Sequence, residues 1–326
     1  MEKARILGVG AHVPARRMHN DELAAMVETS DEWIYSHTGI RYRHIAAEDE
    51  SASDLAVPAA QQAIAHAGID AQDIDLILLA TSTPDYLGLP ATACVVQDKL
   101  GVAEAAAMDL TAACSGFVYG LETARAYVES GAARTVLLIG SEVYSRIINW
   151  KDRRTCVLFG DGAGAVVVGR HSQPGVLPAY LGSQGSGAES LYRSHGGSRN
   201  RYVPGQTPEE DLKLKMDGRK VYSFAVDIMV KVIKTVLERA GKQFDDLAWV
   251  VPHQANVRII NAAAKRAGWD PARFYVNIAE YANTSAASIP IALREMLDAG
   301  RLSPGDLVLV TGFGGGLTYG GALIQM

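Results

Sequence analysis

Residues 105–131 read AAAMDLTAACSGFVYGLETARAYVESG. A strand-like run ends at Leu110, small residues surround Cys114, and a helix-like stretch closes on Gly131, a residue suited to a C-cap. Strand, sharp turn and helix are thus expected in that order. On either side, Ile74–Ala80 and Arg134–Gly140 read as buried strands, which makes this an α/β protein. The second half repeats the order, with strands at Leu247–Val251 and Asp306–Val310 around a helix at Ser285–Gly300. Residues 114–131 (CSGFVYGLETARAYVESG) lie over residues 283–300 (NTSAASIPIALREMLDAG) without a gap. The offset, 300 − 131 = 169, also pairs Arg125 with Arg294 and carries Cys114 onto Asn283. A duplicated βαβ unit with pseudo-twofold symmetry would bring these two helix starts together at its centre. From about Pro174 to Gly218 the rhythm gives way to a Gly-, Ser-, Arg- and Pro-rich run, read as a crossover with surface loops between halves 1–173 and 174–326.

The 326 residues are 48% apolar and 21% charged, ordinary for a globular enzyme. A net charge of −5 gives no whole-chain footprint for nucleic acid, though a local basic patch can still serve an acidic partner. No stretch reaches the ~18 consecutive apolar residues a membrane helix needs, and the N-terminus lacks the pattern of a signal peptide, so a cytoplasmic protein is expected. Cys94, Cys114 and Cys156 are odd in number and widely spaced, making neither a disulfide framework nor a zinc motif.

Chemistry concentrates at four places. A thiol at Cys114 opens a helix, where unpaired N–H groups and the macrodipole favour the thiolate; the alternative is a buried core cysteine. Among eight histidines only His253 directly follows a buried strand in the repeat that contains Asn283, at the strand end where α/β proteins place ligands. Asn283 opens the second central helix, either as a plain cap or as an amide donor facing the thiol. Gly314-Gly315-Gly316 follows the last strand, as a tight turn or as backbone that presents an N–H to a carbonyl oxygen. Gly160–Ala165 fits a dinucleotide pattern, but Val166–Gly169 after it reads as a strand and not as the helix such a site needs.

Taken together, Ala-Ala-Cys114-Ser-Gly-Phe, His253-Gln-Ala-Asn, Asn283-Thr-Ser-Ala-Ala-Ser and Gly-Phe-Gly314-Gly-Gly resemble the β-ketoacyl-acyl-carrier-protein synthase III family across nearly the whole chain. The resemblance implies a thiolase fold, with the duplicated halves in five α-β-α-β-α layers. It implies condensation of an acyl-CoA primer with malonyl-acyl carrier protein, with Cys114, His253 and Asn283 catalytic and Cys114, Gly315 and Gly316 around the oxyanion. No metal or redox cofactor is implied, and a homodimer is. CoA would meet Trp33 and Arg153, with His37 where the family carries a second arginine, a departure because His lacks the fixed charge and fork of Arg. Asn256 would border the pantetheine tunnel, and Leu89 would close the partner's primer pocket. Arg258, with Lys265 and Arg266, would dock the carrier protein. Arg146 either faces solvent or the dimer contact, the preferred reading, or points inward to pair with a diacid primer such as glutaryl, as in a biotin-pathway branch. The same fold also serves secondary-metabolite acyltransferases, and a non-catalytic acyl-CoA or carrier-protein binder is the rival from a different class. An intact Cys-His-Asn set argues for carbon–carbon bond formation, because simple acyl transfer needs no enolate site.

Overall fold

Leu76–Ala80 is buried along its whole length and pairs in parallel with Ala106–Leu110 on one side and Thr135–Glu142 on the other. Such an unbroken apolar run is what a strand covered on both faces requires. Gly162–His171 and Lys3–His12 extend this sheet to five strands, both antiparallel to their neighbours. A second sheet orders Trp249–Pro252, Leu307–Gly314, Thr318–Gln325 and Tyr180–Ser183, with only the first pair parallel. Phe274 makes a lone parallel bridge to Val250, in the place Ala106–Leu110 takes beside Leu76–Ala80. The computed structural model describes residues 2–326.

Five layers follow from three apolar clusters. Helices Ala52–Ala67 and Thr92–Leu100 cover the outer face of the first sheet. Helices Gly116–Ser130 and Ser288–Asp298 fill the space between the sheets with Phe117, Leu121, Ile289, Leu293 and Met296. Helices Gly218–Ala240 and Val257–Ala267 cover the outer face of the second sheet. The layers pack closely: a Cβ added at Gly10 would lie 2.1 Å from the carbonyl oxygen of Ala59, so the first strand meets its helix backbone to backbone.

The central helices start later than the sequence suggests. A 3-10 turn, Ala113–Ser115, precedes the helix from Gly116, and Ser285–Ala287 precedes the helix from Ser288. The cause is a sharp reversal immediately before each functional residue. Ala113 has φ 47° and Ala282 has φ 56°, the left-handed region that non-glycine residues rarely occupy. These two alanines are themselves related by 282 − 113 = 169. The expected strand at Val166–Gly169 is present inside Gly162–His171, so Gly160–Ala165 opens no helix. The region read as surface crossover holds more order than expected. Tyr180–Ser183 joins the second sheet, and Leu191–Arg193 pairs with Leu214–Met216.

Candidate active site

The two helix starts converge. The Asn283 N–H donates to the Leu158 carbonyl at 2.9 Å and the Gly160 N–H to the Asn283 carbonyl at 3.1 Å, which fixes Asn283 to the segment beside Phe159. A Cβ placed on Gly116 would lie 3.5 Å from the Ala286 methyl, so the small residues of both turns touch. Cys114, His253, Asn283, Phe159, Phe313 and Gly314 line one mainly apolar cavity of about 180 Å³.

Cys114 is 3% exposed. Its backbone lies against the last strand pair so tightly that a Cβ on Gly314 would come within 2.6 Å of the Cys114 nitrogen. Glycine at 314 is therefore a requirement of close approach. Thr318 Oγ1 donates to the Ala112 carbonyl at 2.9 Å and accepts from Ser115 Oγ at 2.7 Å, which ties the cysteine turn to the strand. The three glycines differ in where they sit. Gly314 lines the cavity, Gly315 is half-buried, and Gly316 is exposed, because the strand ends at Gly314 and the turn carries the next residues outward.

The ionisation expected of Cys114 is also corrected. Burial pushes the thiol up to about 12, and the buried Glu142 pushes the same way. Desolvation outweighs the helix-start effect because the residue is almost entirely buried. Alkylation of Cys114 by iodoacetamide, followed by peptide mass, is accordingly expected to rise about tenfold per pH unit up to about pH 10. A plateau near the ordinary thiol value of about 8.5 would contradict this.

His253 is 1% exposed, and burial lowers it to about 3, so the ring is neutral around pH 7. The His253 backbone N–H donates to the Thr311 carbonyl at 2.7 Å, and Phe313 meets the ring edge-on at 5.6 Å. Nδ1 lies 2.7 Å from Ser288 Oγ. Asn283 Oδ1 accepts the Ser285 N–H at 2.9 Å, which turns the amide nitrogen, a donor, toward the cavity.

Sequence reasoning missed Glu142 and Tyr144. Glu142 is fully buried and pushed up to about 7 by burial, while it accepts from Thr83 Oγ1 at 2.6 Å and the Ser82 N–H at 3.0 Å. Tyr144 is buried and stacks on Phe159, 4.7 Å between centroids. An acid ending the apolar strand Thr135–Glu142 was the signal available.

Of the binding residues, Trp33, His37 and Arg153 come together. His37 stacks on the Trp33 ring at 4.4 Å and the Arg153 guanidinium sits over it at 4.8 Å. Asn256 lines the cavity and donates to the His37 carbonyl at 3.0 Å, joining this cluster to the cavity wall. Arg258, Lys265 and Arg266 are exposed on Val257–Ala267, whose buried Ile259 lines the same cavity; Arg266 pairs with Asp227. Leu89 is 86% exposed and absent from the cavity lining. Arg146 is exposed, donates to the carbonyls of Ala47, Glu48 and Glu50, and is absent from the lining of the Cys114 cavity.

Duplicated sheets whose central helices present their first residues to one cavity define a thiolase-fold condensing enzyme. Models of 3-oxoacyl-[acyl-carrier-protein] synthase III match residues 108–185, and of its C-terminal region residues 237–326. The chain is 48% identical to the β-ketoacyl-[acyl-carrier-protein] synthase III of Caldanaerobacter subterraneus subsp. tengcongensis, over 99% of this chain and 97% of that one. It superimposes on the crystal structure of the Thermus thermophilus β-ketoacyl-[acyl carrier protein] synthase III with a TM-score of 0.92, at 45% identity and 99% coverage of both chains. The chain belongs to the β-ketoacyl-[acyl-carrier-protein] synthase III family. Among the described residues no helix is long and apolar enough to cross a membrane.

Proposed function

We propose that this chain starts fatty-acid synthesis by a two-step decarboxylative condensation. The observation that carries the reading is the convergence of Cys114, His253 and Asn283 on one cavity, with the Asn283 amide nitrogen left free by the bond from Ser285 to its oxygen. In the first step the Cys114 sulfur attacks the carbonyl of an acyl-CoA. The tetrahedral oxyanion is met by backbone N–H groups at Cys114 and the Gly314–Gly315 turn, and CoA leaves as its thiol. In the second step malonyl-acyl carrier protein loses CO2, and its thioester oxygen takes hydrogen bonds from His253 and Asn283 as the enolate forms. The enolate carbon attacks the acyl-cysteine, releasing the sulfur and giving a β-ketoacyl-carrier protein. One proton is taken up overall. N–H donors meet the charge at each stage, so the scheme needs no metal or redox cofactor.

Intact-protein mass after incubation with acetyl-, isobutyryl-, hexanoyl- and glutaryl-CoA tests the first step. Addition of malonyl-acyl carrier protein, with product followed by mass, tests the second. A mass gain at Cys114 without condensation would leave an acyltransferase; binding without mass gain would leave a non-catalytic carrier. Arg146→Ala is expected to leave the order of primers unchanged, because its side chain is engaged with backbone carbonyls at the surface. A selective loss of glutaryl transfer would restore the diacid reading.

Carrier-protein docking is assigned to Arg258, supported by its exposure beside the cavity wall, with Lys265 on the same helix. Arg258→Glu is expected to raise KM for malonyl-acyl carrier protein about tenfold and to weaken its salt dependence, with acylation from acetyl-CoA unchanged. An unchanged KM would remove Arg258 from the docking surface. A homodimer is supported by the free edge of Ala106–Leu110 and the exposed Tyr86, Leu87, Leu89 and Met108 beside it. Leu89 then serves the second copy's primer pocket. A solution mass of a single 34.8 kDa chain would exclude this arrangement.

A further inference from the structure

Ser288 is the first residue of the second central helix and is buried. Its hydroxyl has three neighbours. It donates to the Ser285 carbonyl at 2.9 Å, lies 2.7 Å from His253 Nδ1, and accepts the Gln254 N–H at 3.4 Å. A hydroxyl carries one proton, so these contacts allow two arrangements. When the proton points to Ser285, the oxygen accepts from His253 Nδ1–H, and Nε2 is bare. When it points to Nδ1, Nε2 carries the ring proton instead. The second arrangement leaves no carbonyl without a partner, because the Ser288 backbone N–H also donates to the Ser285 oxygen. The same Ser285 holds Asn283 through its own N–H. One turn thereby aims both side chains.

We propose that Ser288 is the positioning residue that decides which ring nitrogen of His253 carries the proton. Enolate formation needs a donor at the cavity, and Nδ1 is already taken by Ser288, so Nε2 is the nitrogen that must bear hydrogen. Rotation of the Ser288 hydroxyl from Ser285 to Nδ1 provides it without charging a ring that burial keeps neutral. Acylation of Cys114 does not use this donor. The inference rests on the condensation reading given above.

Ser288→Ala removes the hydroxyl. Ser288→Thr keeps it, and Ser288→Val has the shape of threonine without it, so packing damage is common to the branched pair. Acetyl transfer to Cys114 is measured by mass, and CO2 release from malonyl-acyl carrier protein by radiolabel. The expected result is acylation within about twofold of wild type in all three, with decarboxylation lower on the order of 100-fold in the alanine and valine variants and retained in threonine. With ¹⁵N-labelled histidine, two-bond proton–nitrogen correlations assigned by loss in His253→Ala should show one ring tautomer in the wild type bound to a non-hydrolysable malonyl thioester, and a different or mixed one in Ser288→Ala. Decarboxylation that survives in alanine, or that falls alike in threonine and valine, overturns the assignment of Ser288. Failure of the wild type itself to condense overturns the condensation reading instead.

Discussion

Changing Cys114 to alanine will leave a folded protein that takes up no acyl group. Incubated with acetyl-CoA, the variant will show no mass gain, and the rate of transfer will fall by something on the order of 10⁴-fold or more, as for loss of a nucleophile in other covalent catalysts. Folding should survive, because the change removes one sulfur from a site where Gly314 and Thr318 already hold the turn through backbone and hydroxyl contacts. The rest of the cavity also stays, so malonyl-acyl carrier protein should still bind and lose CO2. The other thiols give the control. Cys94 is exposed and away from the cavity lining, and Cys156 is buried, with burial pushing its thiol up to about 11. Acylation that persists and maps to either of them would sink the assignment of Cys114.

The correspondence between Cys114 and Asn283 was legible because the central helices have equal spacing from functional residue to glycine cap. Gly131 and Gly300 both adopt positive φ, at 82° and 61°, so the helix ends register the repeat as surely as its starts. Strand spacing does not: Leu76 and Trp249 open equivalent strands at 249 − 76 = 173, and Thr135 and Leu307 at 307 − 135 = 172, because the loops between elements differ in length. What local sequence could not supply is anything decided by distant burial. A helix start argues for a thiolate at Cys114, but Glu142 and Tyr144 from one distant segment and Ser285 from another arrive beside it. Three adjacent glycines look alike on paper, and only the one still inside the strand reaches the cysteine. The ring proton of His253 depends on Ser288, 35 residues further along the chain. Sequence favours an outward Arg146 without placing it, and the carbonyls of Ala47 and Glu48 are what its guanidinium meets.

His253→Ala and Asn283→Ala are expected to divide the reaction at its middle. Each should acylate Cys114 at close to the wild-type rate, since the first oxyanion is met by backbone N–H groups that neither substitution touches. Each should lose malonyl decarboxylation by about 10²- to 10³-fold, the usual cost of one oxyanion donor. Both side chains address one oxygen, so the double variant should lose far less than the product of the two single losses. Burial lowers His253 to about 3, and the ring is therefore neutral throughout the working range. The wild-type rate of CO2 release should accordingly show no fall on acidification through about pH 6.5, where an ordinary imidazole gains its proton. The sign distinguishes mechanisms. A histidine acting as a cation would speed the reaction as pH fell through that value, and one acting as an exposed base would slow it. A neutral donor does neither. Decarboxylation that tracks a titration near pH 6.5, or equal loss of both half-reactions in the two single variants, would remove His253 and Asn283 from the enolate site and leave Asn283 only its turn contact with Ser285.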